Sequence, residues 1–215
     1  RMGQDKIFFT LLDNSVLSYA LKPFEESNYI DEIIVVCKDE FKEKALDIIK
    51  KNNVSKFSKF ATGGKTRQQS VFSGVKEANS RTEYFAIHDA ARALITKAEI
   101  DKCILDSFKF GSSALGVPTK DTIKVLNDKG FVIKTPSRSN LYCIQTPQVF
   151  RKPIYLKAME NALSQGKDYT DDCQLIESLG EKVHIVKGEY TNLKITTPDD
   201  VFIFESILKS REVKV

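Results

Sequence analysis

The sequence is poor in the residues from which metal cages and disulfide frameworks are built. Its four cysteines, Cys37, Cys103, Cys143 and Cys173, stand far apart and form no CxxC pair. That spacing excludes the usual zinc signatures and a disulfide scaffold, and the four read as reduced packing residues. Histidine is equally scarce, with two in the chain, and His88 reads as a satisfied core residue rather than a catalytic base. No apolar run approaches the ~18 residues of a membrane span, and no secretory pattern opens the chain. Charge of one sign is not in large excess either: 33 basic against 29 acidic residues leave +4. This is far from the clustered basic face of a nucleic-acid binder. It suits a small polyanionic ligand if a few cations converge on one cleft. The expectation is a cytoplasmic protein with neither a nucleic-acid nor a membrane partner.

What is present is ordinary for a globular chain. Hydrophobic residues make up 41% and charged residues 29%, and 215 residues suffice for one large domain with a real core. Strand-like runs alternate with helix-period segments, the pattern of an α/β protein with a mostly parallel sheet. Val16 to Glu26 places Leu17, Leu21 and Phe24 on one helical face behind Asn14 and Ser15 as caps. Strands are expected at Ile33–Val36, Phe57–Thr62, Tyr84–His88, Ser113–Val117, Leu141–Ile144 and Val183–Val186. Further helices are expected around Phe41–Ile49, after Gly63-Gly64, at Ile100–Phe110, 153–165 and 171–179, and from Thr197-Pro198 onward. Thr122–Leu126 and Phe131–Lys134 flank Asn127-Asp128-Lys129-Gly130, a hairpin turn that interrupts the α/β rhythm. With no repeat and no low-complexity linker, residues 1–215 read as a single domain with a protruding β-arm at about 120–145.

Several segments could carry chemistry. In Thr62-Gly63-Gly64-Lys65-Thr66-Arg67-Gln68-Gln69-Ser70 a strand ends in two glycines before a helix, so backbone N–H groups can approach a ligand. Arg67 and Ser70, three apart, share a helical face; taken alone, the stretch is also an ordinary tight turn. His88-Asp89-Ala90-Ala91-Arg92 sets a carboxylate just beyond a strand's carboxyl end, where open α/β sheets bind ligands. A hard carboxylate there suits Mg²⁺, and Arg92 offers a phosphate fork; the plainer reading is a helix cap beside a surface arginine. Thr170-Asp171-Asp172 reads first as a helix cap with acidic first-turn residues. Asn192-Leu193-Lys194-Ile195-Thr196 alternates like a strand, and an exposed Lys194 is its default reading.

Taken in order, these segments resemble the 2-C-methyl-D-erythritol 4-phosphate cytidylyltransferase family. Arg1-Met2-Gly3, Gly63 to Val71, His88 to Arg92, Val117-Pro118 with Asp121-Thr122-Ile123-Lys124, and Gln145-Thr146-Pro147-Gln148 all look like its blocks. So do Thr170-Asp171-Asp172 and Asn192 to Thr196. The resemblance runs from Arg1 to about Asp200, and the ordered set is specific where each block alone is not. It implies a Rossmann-like, mostly parallel sheet with helices on both faces and a β-arm that builds a homodimer. The activity implied is transfer of a cytidylyl group from CTP to methylerythritol phosphate with release of pyrophosphate. By resemblance Arg1, Lys6 and Lys194 are catalytic cations, with Arg1 and Lys6 stabilising the pentacoordinate α-phosphate. Gly64, Arg67 and Ser70 hold the cytidine end, and Asp89 holds Mg²⁺. Arg92, Thr122, Thr146, Thr170 and Lys194 face the sugar-alcohol phosphate, and Arg138 on the arm reaches the partner's site.

The family's glycine-rich loop is expected ahead of Arg1, and the spacing from Arg1 to Lys6 is shorter than the family pattern. The alternatives are a ribitol-5-phosphate cytidylyltransferase, which shares fold and reaction, and an inactive nucleotide-binding homologue.

Overall fold

The computed structural model describes residues 4–212, so the expectation for Arg1 lies outside the described residues. A 3-10 turn at Gln4–Phe8 leads into a small antiparallel hairpin, β1 (Thr10–Leu11) and β2 (Asn14–Ser15). α1 (Val16–Glu26) follows because the Ser15 hydroxyl accepts the Ser18 N–H at 3.1 Å while Val16, Leu17, Ala20, Leu21 and Phe24 share its buried face. β3 (Ile33–Cys37), α2 (Lys42–Lys51), β4 (Phe57–Thr62) and α3 (Arg67–Glu77) complete a parallel strand pair with its crossover. β5 (Tyr84–Ile87), α4 (Lys97–Phe110) and β6 (Ser112–Pro118) come next. α4 starts on a reciprocal Thr96–Glu99 capping box and stops at Gly111, whose φ of 83° only glycine adopts at low cost.

The hairpin excursion is β7 (Val125–Leu126) and β8 (Val132–Lys134). It is shorter than the runs flanking the turn, because the Asn127 carboxamide takes the Lys129 and Phe131 N–H groups and Gly130 sits at φ 82°. β9 (Tyr142–Arg151), α5 (Lys152–Ser164), α6 (Asp172–Glu177), β10 (His184–Lys187) and α7 (Pro198–Glu212) finish the chain. α6 falls short of the expected 171–179, and the turn after it ends at Gly180 with φ 77°.

The expectation of a mostly parallel sheet needs correction. The main sheet runs β10-β6-β9-β5, and β9 is antiparallel to both of its neighbours. β6 and β9 are joined by the hairpin excursion alone, without the helical crossover that a parallel return needs, so β9 must come back antiparallel. β5, β6 and β10 still share one direction. The carboxyl end of β6 meets the start of β9, with Gly116 opposite Ile144, while β5 ends at Ile87 opposite Gln148 near the middle of β9.

β3–β4 forms a separate pair, and among the described residues β3 and β5 exchange no backbone hydrogen bond. Phe24, Ile100 and Leu115 pack with Ile33, Tyr84 and Ala86 to join the two sheets through side chains. Among the described residues no helix is long and apolar enough to cross a membrane.

Candidate active site

β5 carries the chain to Asp89, just past its carboxyl end. The Arg92 N–H donates to the Asp89 carbonyl at 2.8 Å, folding the Asp89–Arg92 segment into a tight turn. The backbone N–H of Asp89 is held by the Thr146 hydroxyl at 3.1 Å, and the same hydroxyl lies 3.0 Å from His88 Nδ1. His88 therefore faces a threonine, packs at a tilt against the Phe24 ring, and leaves its buried Nε2 without a partner among the described residues. Burial pushes its pKa down to about 4, against the pull of the Asp89 charge. The imidazole is neutral, but its buried Nε2 is not satisfied as a core histidine's would be.

Three cations converge on Asp89. Lys194 Nζ lies 2.7 Å from Oδ2, Arg67 Nε donates to Oδ1 at 3.4 Å, and Arg92 Nε stands 4.0 Å from Oδ2. Burial opposes ionisation of this carboxyl, but the Lys194 and Arg67 charges outweigh it and hold the pKa down at about 2. Asp89 is thus an ionised carboxylate at neutral pH.

Lys194 is delivered by an extended segment, not by the strand its alternation suggested. The segment has no ladder of its own and is pinned by the Ile195 N–H on the Ala91 carbonyl at 2.9 Å. Buried Asn192 adds hydrogen bonds to Gln145 and to the Thr146 carbonyl. Arg92 spends much of its fork on carbonyls, donating to Asn192 at 2.9 Å and to Ile144 at 3.4 Å.

These groups line a cleft of about 170 Å³ with Ile144, Gln145, Thr146, Gln148, Thr170 and Asp171. Of the residues singled out from sequence, the cleft gathers Arg67, Asp89, Arg92, Thr146, Thr170 and Lys194. Gly64 and Ser70 lie at the neighbouring strand-to-helix turn. Lys6 sits in the opening 3-10 turn, while Thr122 and Arg138 lie on the exposed excursion; none of these three is among the lining residues. Arg138 instead donates to the Lys120 carbonyl at 2.8 Å.

Sequence reasoning assigned no role to Gln148, Tyr155 and Asn192, and it read Asp172 as a first-turn acid only. Asp171 is the cap of α6, accepting the Gln174 N–H at 2.9 Å, whereas Asp172 is buried and holds Arg67. A side chain three residues before a glutamine or glutamate announces a cap; nothing local in the sequence announces a partner 105 residues away.

The Gly63-Gly64 turn requires glycine at its second position only. Its N–H groups are taken by Cys37 O at 3.0 Å for Gly63, Ser70 Oγ at 3.0 Å for Gly64 and Gln69 Oε1 at 2.9 Å for Lys65. A Cβ on Gly64 would stand 2.4 Å from the Gln69 Cβ and 3.0 Å from its carbonyl carbon, so no rotamer change relieves the clash. On Gly63 the nearest atom would be 3.6 Å away, an ordinary contact. Gly64→Ala is expected to cost about 1–3 kcal/mol of stability, and Gly63→Ala less than about 0.5. Urea unfolding of the two variants checks the contrast.

Comparison with known proteins places the whole chain in one family. The family described as 2-C-methyl-D-erythritol 4-phosphate cytidylyltransferase (IspD) matches residues 1–210. A protein of that name from Clostridium botulinum is 41% identical over 204 residues, covering 95% of this chain and 89% of the relative. One from Caldanaerobacter subterraneus is 41% identical over 206 residues, covering 95% and 91%. The crystal structure of 4-diphosphocytidyl-2C-methyl-D-erythritol synthase from Anaerococcus prevotii superposes with a TM-score of 0.87 at 32% identity, covering 93% of this chain and 88% of that one.

Proposed function

Because the chain belongs to the 2-C-methyl-D-erythritol 4-phosphate cytidylyltransferase family, we propose that the Asp89 cleft is where its two anionic substrates meet. The activity itself is that of the family: CMP passes from CTP to 2-C-methyl-D-erythritol 4-phosphate, in the non-mevalonate isoprenoid pathway. A phosphate oxygen of the acceptor forms a bond to the α-phosphorus of CTP. The α–β anhydride bond breaks, and pyrophosphate leaves with the bonding electron pair. Both reactants are anions, so alignment and charge neutralisation carry the catalysis and no enzyme nucleophile is required.

The observation that carries the reading is the convergence of Arg67, Arg92 and Lys194 on one ionised aspartate beyond a strand end. Lys194 is placed to exchange its carboxylate partner for a phosphate oxygen, Arg67 supplies its remaining N–H groups, and Arg92, fixed on two carbonyls, supplies charge. Thr170 offers a hydroxyl at the cleft's edge. The cleft is smaller than the 300–1,000 Å³ of a typical ligand pocket. It therefore accommodates the reacting phosphates, while the cytidine end lies along Gly64 and Ser70. Lys6 and Arg1 complete the cation set from the chain's start.

A divalent cation fits Asp89. Among the described residues no three His, Cys, Asp or Glu side chains gather into a cage, but Mg²⁺ commonly takes only one or two protein carboxylates and fills its shell from substrate phosphates. Asp89 is an ionised carboxylate, and a bound ion would take the oxygens that Lys194 and Arg67 now hold as those side chains turn to the substrate phosphates. When bound, the ion would offset charge on the triphosphate.

A homodimer is the second part of the reading. Leu126, Phe131, Val132 and Ile133 of the excursion are all more than half exposed, and an isolated two-stranded hairpin is marginal in water. A second copy related by a two-fold axis would cover them and would bring Arg138 and Thr122 toward a neighbouring cleft.

Pyrophosphate release from CTP tests the substrate assignment. The expected kcat/KM with methylerythritol phosphate exceeds that with ribitol 5-phosphate by about 10² or more. Equal rates would favour the ribitol enzyme, and no release with either would favour an inactive homologue.

A further inference from the structure

Behind the cleft lies a buried carboxylate that the reaction does not touch. Asp172 is 2% exposed, and both of its oxygens are engaged. Oδ2 accepts Arg67 Nη1 at 2.6 Å, and Oδ1 accepts the Tyr155 hydroxyl at 2.6 Å. Its backbone N–H, with that of Cys173, donates to the Gln148 carboxamide at 3.0 and 3.2 Å. Tyr155 is fully buried and packs against the rings of Phe72, Phe85 and Phe150. Burial, together with the Asp172 charge, drives the tyrosine's pKa well above its usual value, so its hydroxyl remains a donor.

Opening a helix does not call for this arrangement. Asp171 already caps α6, and a buried ion pair is often no more stabilising than apolar side chains of the same volume. The geometry suggests another purpose. Arg67 stands between two carboxylates, tightly bonded to Asp172 at 2.6 Å and only marginally to Asp89 at 3.4 Å. Released from Asp172, its fork would close on Asp89 as a two-pronged pair, occupying the carboxylate and turning its remaining N–H groups away from the cleft.

We propose that Asp172, anchored by Tyr155, is a positioning residue that keeps Arg67 from closing fully on Asp89 and presents it to the nucleotide. The proposal rests on the reading of Arg67 as a contact to CTP. Asp172 touches no substrate and acts only through Arg67.

A double-mutant cycle read by calorimetric titration of CTP in the presence of Mg²⁺, without the acceptor, separates the possibilities. Arg67→Gln and Asp172→Asn are each expected to weaken CTP binding about tenfold. In the Arg67→Gln background, Asp172→Asn is expected to change affinity by less than about twofold. The Mg²⁺ concentration needed for half-maximal CTP affinity should rise in Asp172→Asn, where Arg67 competes for Asp89, and return to the parental value in the double variant. A purely structural role would move neither the Mg²⁺ requirement nor its restoration.

If Arg67→Gln binds CTP normally, the nucleotide contact itself is refuted. If Arg67→Gln weakens binding and Asp172→Asn does not, or if the two effects add in full, the positioning role is refuted. Should Asp172→Asn fail to fold, Tyr155→Phe keeps the carboxylate and removes its second anchor. It is expected to act in the same direction to a smaller extent, and to have no effect once Arg67 is gone; an effect that persists would refute the role.

Discussion

Asp89→Asn lowers kcat by about two orders of magnitude or more at saturating substrates, and the residual rate rises with Mg²⁺ far beyond the parental requirement. The amide keeps the size of the side chain and its place on the Thr146 hydroxyl, which binds the backbone and not the carboxylate. What is lost is the charge that Lys194 and Arg67 face at 2.7 and 3.4 Å. The variant should also be less stable by about 2 kcal/mol at neutral pH, the worth of a carboxyl whose pKa is about 2 in the fold and 3.8 outside it. The pH dependence has a definite sign. This contribution is complete above pH ~4 and is lost as the pH falls through about 2, so the parent and variant converge in acid. Steady-state rates across a Mg²⁺ series, with urea unfolding at pH 7 and in acid, give the measurement. A near-parental rate at low Mg²⁺ would exclude Asp89 from the metal's environment.

Mixing two inactive variants restores activity. Arg138 lies on the exposed excursion, bonded to its own Lys120 carbonyl and away from its own cleft, whereas Lys194 stands inside. If Arg138 completes the neighbouring site, Arg138→Ala damages the partner's cleft and Lys194→Ala its own. In a mixed dimer both lesions fall in one site and leave the other intact. Random association makes half of the dimers mixed, so roughly a quarter of all sites recover. Co-refolding the variants in equal amounts and measuring pyrophosphate release tests this, with the separately refolded variants as the baseline. Activity no higher than that baseline would place Arg138 in its own subunit or outside the reaction.

The elements that local physics specifies were legible in the sequence. α1 begins and ends where its apolar face and the Ser15 cap require, and β4 spans the expected Phe57–Thr62. Local patterns carry no information about strand direction, and that is where the reading failed. The Gln145-Thr146-Pro147-Gln148 run is too polar to look like a central strand, yet it forms the middle of β9. Its buried side chains are spent on Glu189, Asp89, His88, Asn192 and α6 rather than on a hydrophobic core. The convergence of Asp89 and Arg92 on one cleft was half legible: a carboxylate at the end of an apolar strand points to a ligand, yet a helix cap beside a surface arginine explains the same letters. Asp172 was hidden because the dipole of α6 already accounts for an acid at that position.

The separations along the chain set the order of assembly. Lys194 and Asp89 are 105 residues apart, as are Arg67 and Asp172, while Thr146 and the Asp89 N–H are 57 apart. Contacts so distant in sequence carry a larger loop-closure entropy than the local turns and caps do. The Arg92–Asp89 and Arg67–Asp89 approaches span only short separations, whereas the Lys194 contact depends on a segment made much later. Lys194 follows Arg67 and Arg92 in the chain, so the constellation cannot close until the segment carrying it has been made.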